Sequence, residues 1–254
     1  MASFNLNGRV AIVTGGNGGI GLGMALGLAE AGAAVVAAGR NAEKNAAAVA
    51  ELESRGGKAI AVEVDVADEK SCAAMIERTR SELGRLDILV NNAGINIRKQ
   101  PDEFTPAEWQ QVLDINLTGA FLCCQAAYPA MLEAGGGKII NIGSMMSIFA
   151  ASFTVAYAAS KGGIVQMTKG LATAWAKDNI QVNAVLPGWI DTDLTRRGRR
   201  EVEGLHERVL ARTPAGRWGD PEDMAGIGVF LASPASDFVT GTAIPVDGGY
   251  SAQG

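Results

Sequence analysis

A single histidine, His206, stands in a chain of 254 residues. With one imidazole, and that in a charged stretch, neither a Ser-His-Asp triad nor a multi-histidine zinc site can be assembled. Acid-base chemistry then falls to Tyr, Lys, Asp or Glu, and no metal is expected. Cysteine is almost as scarce. Cys72, Cys123 and Cys124 are odd in number and lack ligand spacing, so they read as buried small hydrophobes rather than disulfides or a redox centre. Basic charge is in deficit too: the formal net charge is -5 with 19 % charged residues, which argues against a nucleic-acid partner needing a strongly basic surface. Long apolar runs are missing. No segment approaches the ~18 uninterrupted apolar residues of a membrane span, and the opening MASFNLNGRV lacks a basic region followed by an apolar core. The expectation is a cytoplasmic protein with no membrane partner.

What is present is alternation. Short β-branched runs (RVAIVTG, AAVVAAG, KAIAVEV, LDILVNN, KIINIG, IQVNAVLPG, TAIPVDGG) alternate with long amphipathic stretches, which predicts an α/β fold of the Rossmann type. It would be a single-domain, doubly wound parallel sheet of about seven strands with helices on both faces, spanning residues 1–254. Nothing reads as a linker or repeat. Thr105-Pro106-Ala107-Glu108 is a capping box with proline at the first helical position, and Asp220-Pro221-Glu222-Asp223 repeats the device. Gly135-Gly136-Gly137 ends the first of these helices. Only the stretch 189–218 is long and irregular, the pattern of a substrate lid.

Chemistry concentrates at strand ends. The first strand runs into Thr14-Gly15-Gly16-Asn17-Gly18-Gly19-Ile20-Gly21, where glycines let the backbone approach a pyrophosphate at a helix N-terminus. Asp65-Val66 ends the third strand, Asn91-Asn92-Ala93-Gly94 the fourth, Ser144 follows the fifth, and Tyr157-Ala158-Ala159-Ser160-Lys161 opens a long helix. Carboxyl ends of strands are where open sheets bind ligands.

Together TGGNGGIG, NNAG, Asn116, Ser144, YAASK and PGWIDT strongly resemble the short-chain dehydrogenase/reductase family over essentially the whole chain. The resemblance implies a nicotinamide cofactor on Gly15, Asn17, Gly18, Gly19, Ile20 and Gly21. Asp65 and Val66 would bracket the adenine, Asn91 would hold the central strand, and Asn92, Ala93 and Gly94 would lie beside the cofactor. Pro187, Gly188, Ile190 and Thr192 would seat the nicotinamide, and Lys161 would grip its ribose. It also implies a homotetramer built through the Asn116 and Tyr157 helices and the last strand. Asn116, Ser144, Tyr157 and Lys161 are then the catalytic set, with Asn116 resembling the residue that holds a proton-relaying water.

The residues support the chemistry on their own terms. Tyr157 and Lys161 are one helical turn apart and share a face. A cation ~4 Å from the phenol at an effective dielectric near 20 contributes about 4 kcal/mol, which would bring the phenol pKa from about 10 to about 7. That suits an acid-base catalyst. Ser144 could hydrogen-bond the reacting oxygen. Each residue has a structural alternative: a packed ring, a solvated lysine, a helix cap, and for Asn116 a tie to neighbouring backbone. A non-catalytic dinucleotide-binding protein on the same fold would have lost one of the four.

The substrate is less sharply drawn. KIINIGSMMS, TPAGRWGDPEDMAG, VFLASPASDFVTGTAIPVDGGY and NNAGINIRK resemble the branch containing gluconate 5-dehydrogenase and 2-deoxy-gluconate 3-dehydrogenase. A sugar-acid or polyol substrate would meet Arg98, Met145, Met146 and Trp189, with Phe149 near, and its carboxylate would meet Arg98 or one of Arg196, Arg197, Arg199 and Arg200; the alternative for Arg196 to Arg200 is a solvated helix ion-paired with Glu201, Glu203 and Glu207. A 3-oxoacyl-carrier-protein reductase or small-ketone reductase also fits the pattern. At the end of the second strand, where an acid would hold both ribose hydroxyls of NAD(H), Gly39 and Arg40 stand instead. Arg40 could hold a 2′-phosphate, so NADP(H) is expected to be preferred with NAD(H) possible.

Overall fold

The structure, a computed structural model, describes residues 4–253. The expected strands form one parallel sheet: β1 (Val10–Thr14), β2 (Ala34–Gly39), β3 (Ala59–Glu63), β4 (Ile88–Asn91), β5 (Gly137–Ile142), β6 (Ile180–Pro187) and β7 (Ala243–Val246). Their order is β3-β2-β1-β4-β5-β6-β7. Because β1 pairs with both β2 and β4, the direction of winding reverses at β1, and a crevice opens at its carboxyl end.

Two-sided burial explains why these strands read as continuous apolar runs. All eight residues of β6 are buried. Alternate side chains of β1 and β2 go to opposite faces: Ala11, Val13, Val35 and Ala37 pack with Met24 and Leu28 of α1 (Gly19–Glu30). Ile12, Val36 and Ala38 pack with Met75 of α3 (Glu69–Leu83) and Cys123 and Met131 further on. The helix α2 (Ala42–Ser54) lies between these two in sequence. The three cysteines are free and buried, as expected of small hydrophobes.

The capping box forms as read: Thr105 Oγ1 accepts from Glu108 N at 3.2 Å, and Thr105 N donates to Glu108 Oε2 at 3.0 Å. It opens α4 (Pro106–Leu113), which continues through a π-helical turn at Asp114–Thr118 into α5 (Gly119–Glu133). This 28-residue rod is long and apolar enough on average to cross a membrane, but Cys123, Cys124, Ala127 and Met131 bury its inner face in the core. Next comes α6 (Val155–Trp175), carrying the YAASK stretch. A buried amide ladder ties these layers: Asn91 Nδ2 donates to Asn141 Oδ1 at 2.9 Å, and Asn141 Nδ2 donates to Thr168 Oγ1 at 2.9 Å.

The stretch 189–218 is less irregular than expected. It is largely helical, with α7 (Asp193–Glu201) and α8 (Leu205–Arg212), before α9 (Ala225–Ala232). LTRRGRRE has too few apolar residues for an apolar stripe, and it forms the ion-paired helix that its arginines and the following glutamates allowed, with Arg197 paired to Glu201. Thr192 caps it, and Leu205 and Val209 of the second helix bury against Trp218.

Candidate active site

The carboxyl ends of β1, β4, β5 and β6 surround a cavity of about 540 Å³. The glycine turn forms its floor, held by the NNAG segment. Asn92 Nδ2 donates to Thr14 O at 3.0 Å and Gly15 O at 3.1 Å, while Asn92 N and Ala93 N both donate to Thr14 Oγ1, at 3.0 and 3.1 Å. This packing requires glycine: a Cβ on Gly21 would lie 2.3 Å from Gly15 O, and Gly15 adopts φ +63°. A Cβ on Gly18, by contrast, would meet nothing within 4 Å. The open space lies at the N-terminus of α1, whose first N–H groups have no intrahelical acceptor and favour an anion. The cradle therefore fits a pyrophosphate.

Gly15, Asn17, Gly18, Gly19, Ile20, Asn92, Ala93 and Gly94 line the cavity, as do Pro187, Gly188, Ile190 and Thr192 across from them. Gly21 lies beneath the turn. Val66 is buried in the core, with Met75 and Cys72 around it. Arg40 and Asp65 line a separate shallow pocket with Gln110, Gln111 and Asp114. Asn17 Nδ2 donates to Asn45 Oδ1 at 2.6 Å, and Asn45 Nδ2 donates to Gly39 O at 2.7 Å. A Cβ on Gly39 would stand 2.6 Å from Asn17 Nδ2. Asn17 thus fills the space that an acidic side chain at position 39 would need.

Ser144, Tyr157 and Lys161 share the cavity wall. Ser144 also caps a short turn, accepting from Met146 N at 3.1 Å, so the structural and the catalytic reading of this serine are compatible. Lys161 Nζ donates to Ile142 O at 2.6 Å and lies 5.7 Å from the centroid of the Tyr157 ring. Asn116 is set behind them. Its Oδ1 accepts from Ile95 N at 2.8 Å, and its Nδ2 donates to Ile95 O at 2.9 Å and Ser160 Oγ at 3.0 Å. The side chain is the tie to neighbouring backbone, fixing the segment after β4 against α6, and its amide is fully engaged.

The electrostatics correct one expectation. Burial raises the Tyr157 pKa above the usual phenol value, and the Ser144 hydroxyl and the Arg98 charge offset only part of that. Burial also pushes Lys161 down, to about 8. Both groups lose water on burial, and that loss opposes each charged form more than Coulomb attraction between them favours it. Without further positive charge the phenol is held protonated, a proton donor rather than a ready base.

Arg98 lies on the same wall, 11 % exposed at its side chain, with Nη1 3.1 Å from Glu201 Oε2 and Nη2 3.2 Å from Leu194 O. The arginines of α7 are engaged elsewhere. Arg196 pairs with Asp191 at 3.1 Å, Arg199 also pairs with Asp191, and Arg197 pairs with Glu201. None of them, nor Arg200, lines the cavity. Met145, Met146 and Trp189 do line it, and so does Asn96, which sequence reasoning missed. A polar residue between Ile95 and Ile97 was the available signal.

Residues 15–251 match the family profile described as enoyl-(acyl carrier protein) reductase. The chain is 42 % identical over 250 residues to a 2-dehydro-3-deoxy-D-gluconate 5-dehydrogenase of Formosa agariphila, covering 98 % of this chain and 95 % of that protein. It is 41 % identical over 248 residues to a gluconate 5-dehydrogenase of Gluconobacter oxydans, covering 98 % and 96 %. A crystal structure of gluconate 5-dehydrogenase from Burkholderia cenocepacia J2315 in complex with NADP and tartrate superposes with a TM-score of 0.94 at 42 % identity, covering 100 % of this chain and 99 % of that one. With the parallel sheet, the glycine cradle and the Ser144, Tyr157 and Lys161 wall in place, the chain belongs to the short-chain dehydrogenase/reductase family, oxidoreductases acting on CH-OH groups.

Proposed function

We propose that this protein interconverts the secondary alcohol and ketone of a sugar acid, with NADP(H) preferred and NAD(H) possible. A bound nicotinamide supplies the hydride acceptor for oxidation, or the donor for reduction. Tyr157 passes the proton to or from the reacting oxygen, Ser144 hydrogen-bonds that oxygen, and Lys161 holds positive charge beside the phenol and grips the ribose. Asn116 acts by fixing the segment that carries the substrate-facing side chains.

The observation that carries the sugar-acid reading is Arg98. Its guanidinium lines the cavity and is close enough to the catalytic phenol for its charge to lower the Tyr157 pKa. A carboxylate held there keeps the rest of a short chain within reach of the phenol. Met145, Met146 and Trp189 supply apolar walls. The relatives named above support the same class. An acyl-carrier-protein substrate has less support, because the arginines of α7 that would face an acidic carrier are largely paired within this chain.

Preference for NADP(H) is supported by the missing acid at Gly39 and by Arg40, one guanidinium being worth about 2 kcal/mol or some 30-fold. Residues 189–218 serve as the lid of a one-domain enzyme in the cytoplasm. The subunits assemble as a homotetramer through α5, α6 and β7. Exposed Phe121 and Leu132 on α5 support that assembly. Initial rates with each cofactor against sugar acids, acetoacetyl thioesters and simple ketones test the proposal. It predicts the highest kcat/KM for a sugar acid with NADP(H).

A further inference from the structure

Among the described residues of α7, Gly198 alone is buried, and it rests on Arg98. A Cβ on Gly198 would lie 2.9 Å from Arg98 Nη2 and 3.1 Å from Arg98 Cζ. The guanidinium also bonds the helix on either side of that contact: Nη2 donates to Leu194 O at 3.2 Å, one turn before Gly198, and Nη1 donates to Glu201 Oε2 at 3.1 Å, one turn after it. Positions 194, 198 and 201 share one face of the helix. On that face a surface helix normally carries its apolar stripe, and α7 carries there an arginine from another segment.

The backbone does not call for glycine at this position. Gly198 is not among the glycines with positive φ, and inside a helix glycine costs about 1 kcal/mol relative to alanine. What it contributes is the missing Cβ. Atoms in ordinary contact lie about 3.5–4 Å apart, so a side chain at 198 would drive the guanidinium back by about half an ångström or more. The group that gives way is the tip of a flexible side chain, so the overlap is relieved by moving Arg98 and not by unfolding α7. Arg98 lines the catalytic cavity with its side chain 11 % exposed. Arginine has five N–H donors, and α7 engages one at Nη2 and one at Nη1, which leaves the others for a ligand.

We infer that Gly198 is a positioning residue for acidic substrates: by letting α7 close down onto Arg98 it sets how far the guanidinium reaches into the cavity, and so where a substrate carboxylate is held. Leu194 O and Glu201 fix the orientation of the guanidinium, and Gly198 fixes its depth. Misplacing a binding group by about 1 Å can cost up to about 100-fold in rate, so a contact this close has a measurable consequence. The inference rests on the sugar-acid reading with Arg98 as the carboxylate ligand, and adds to it which position of the lid places that ligand.

The test is a double-mutant cycle on the whole enzyme with NADP+ and D-gluconate, comparing the native protein, Gly198→Ala, Arg98→Ala and the two changes combined. Gly198→Ala should melt at or above the native temperature, because alanine is the better helix former. It should nevertheless lose about tenfold in kcat/KM, mostly through KM. In the Arg98→Ala background the same change should cost less than about twofold, because the group it displaces is gone. A loss above about threefold that vanishes in this way supports the inference. Any other pattern, whether an equal loss in both backgrounds or no loss in either, overturns it and leaves the sugar-acid reading standing. If the native enzyme does not oxidise D-gluconate, or Arg98→Ala oxidises it as well as the native enzyme does, the reading of Arg98 as the carboxylate ligand falls and the inference falls with it.

Discussion

Arg98 joins the segment after β4 to the helix α7, with its Nη1 3.1 Å from Glu201 Oε2 and Gly198 packed so closely that a Cβ there would lie 2.9 Å from Arg98 Nη2. The guanidinium thus faces the cavity while being oriented from the helix that covers it. A substrate carboxylate at this point would share with Glu201 a cation already in position.

Arg98→Ala should therefore lower kcat/KM for a sugar acid by roughly 10- to 150-fold, the ~1.5–3 kcal/mol of a charge-assisted hydrogen bond. A neutral ketone should lose much less. The Arg98 charge also lowers the Tyr157 pKa, so its removal should move the alkaline rise of alcohol oxidation to higher pH. Equal losses on charged and neutral substrates, with an unmoved pH profile, would place the carboxylate elsewhere.

Cofactor preference can be reversed only by more than one change. An acid at position 39 is the obvious way to favour NAD(H), combined with Arg40→Ile. The structure adds that the new Cβ would meet Asn17 Nδ2 at 2.6 Å, and Asn17 is tied to Asn45. Gly39→Asp with Arg40→Ile should weaken NADP(H) without a strong gain for NAD(H), and adding Asn17→Gly should complete the switch. Specificity constants for both cofactors across the three proteins check this.

Lys161 is 4 % exposed, and burial holds its pKa at about 8 against an ordinary 10.5. A lysine depressed in the folded state costs stability wherever it is charged. The cost is full below about pH 8 and vanishes as pH rises toward 10.5. It is on the order of 3 kcal/mol. Lys161→Met should then unfold at a higher temperature than the native protein at pH 7 while losing turnover, and the gap should close by pH 10. Thermal melts across that range would contradict the account if the variant were the less stable protein at pH 7.

Much of this was readable in the sequence because the chemistry sits at the ends of strands buried on both faces, and such strands announce themselves. The seven runs, the glycine turn and the Tyr157 to Lys161 spacing all follow from local pattern. What escaped depends on distances between separate segments. Helix α7 buries a glycine on Arg98 rather than an apolar stripe, so only its charge pattern marks it and its packing on Arg98 does not show. The raised phenol reflects burial, which no spacing reports. Asn17 reaches Gly39 across the turn, a contact that shows only once both segments have been placed.

The most direct test of the central claim is the change in reduced-nicotinamide absorbance when purified native protein and Tyr157→Phe are each given NADP+ and a sugar acid. One phenol oxygen separates the two proteins. The account predicts steady formation of NADPH by the native enzyme. It predicts almost none by the variant, whose fold and cofactor affinity, measured by thermal melting and NADPH fluorescence, are retained. Near-native turnover by folded Tyr157→Phe would contradict it.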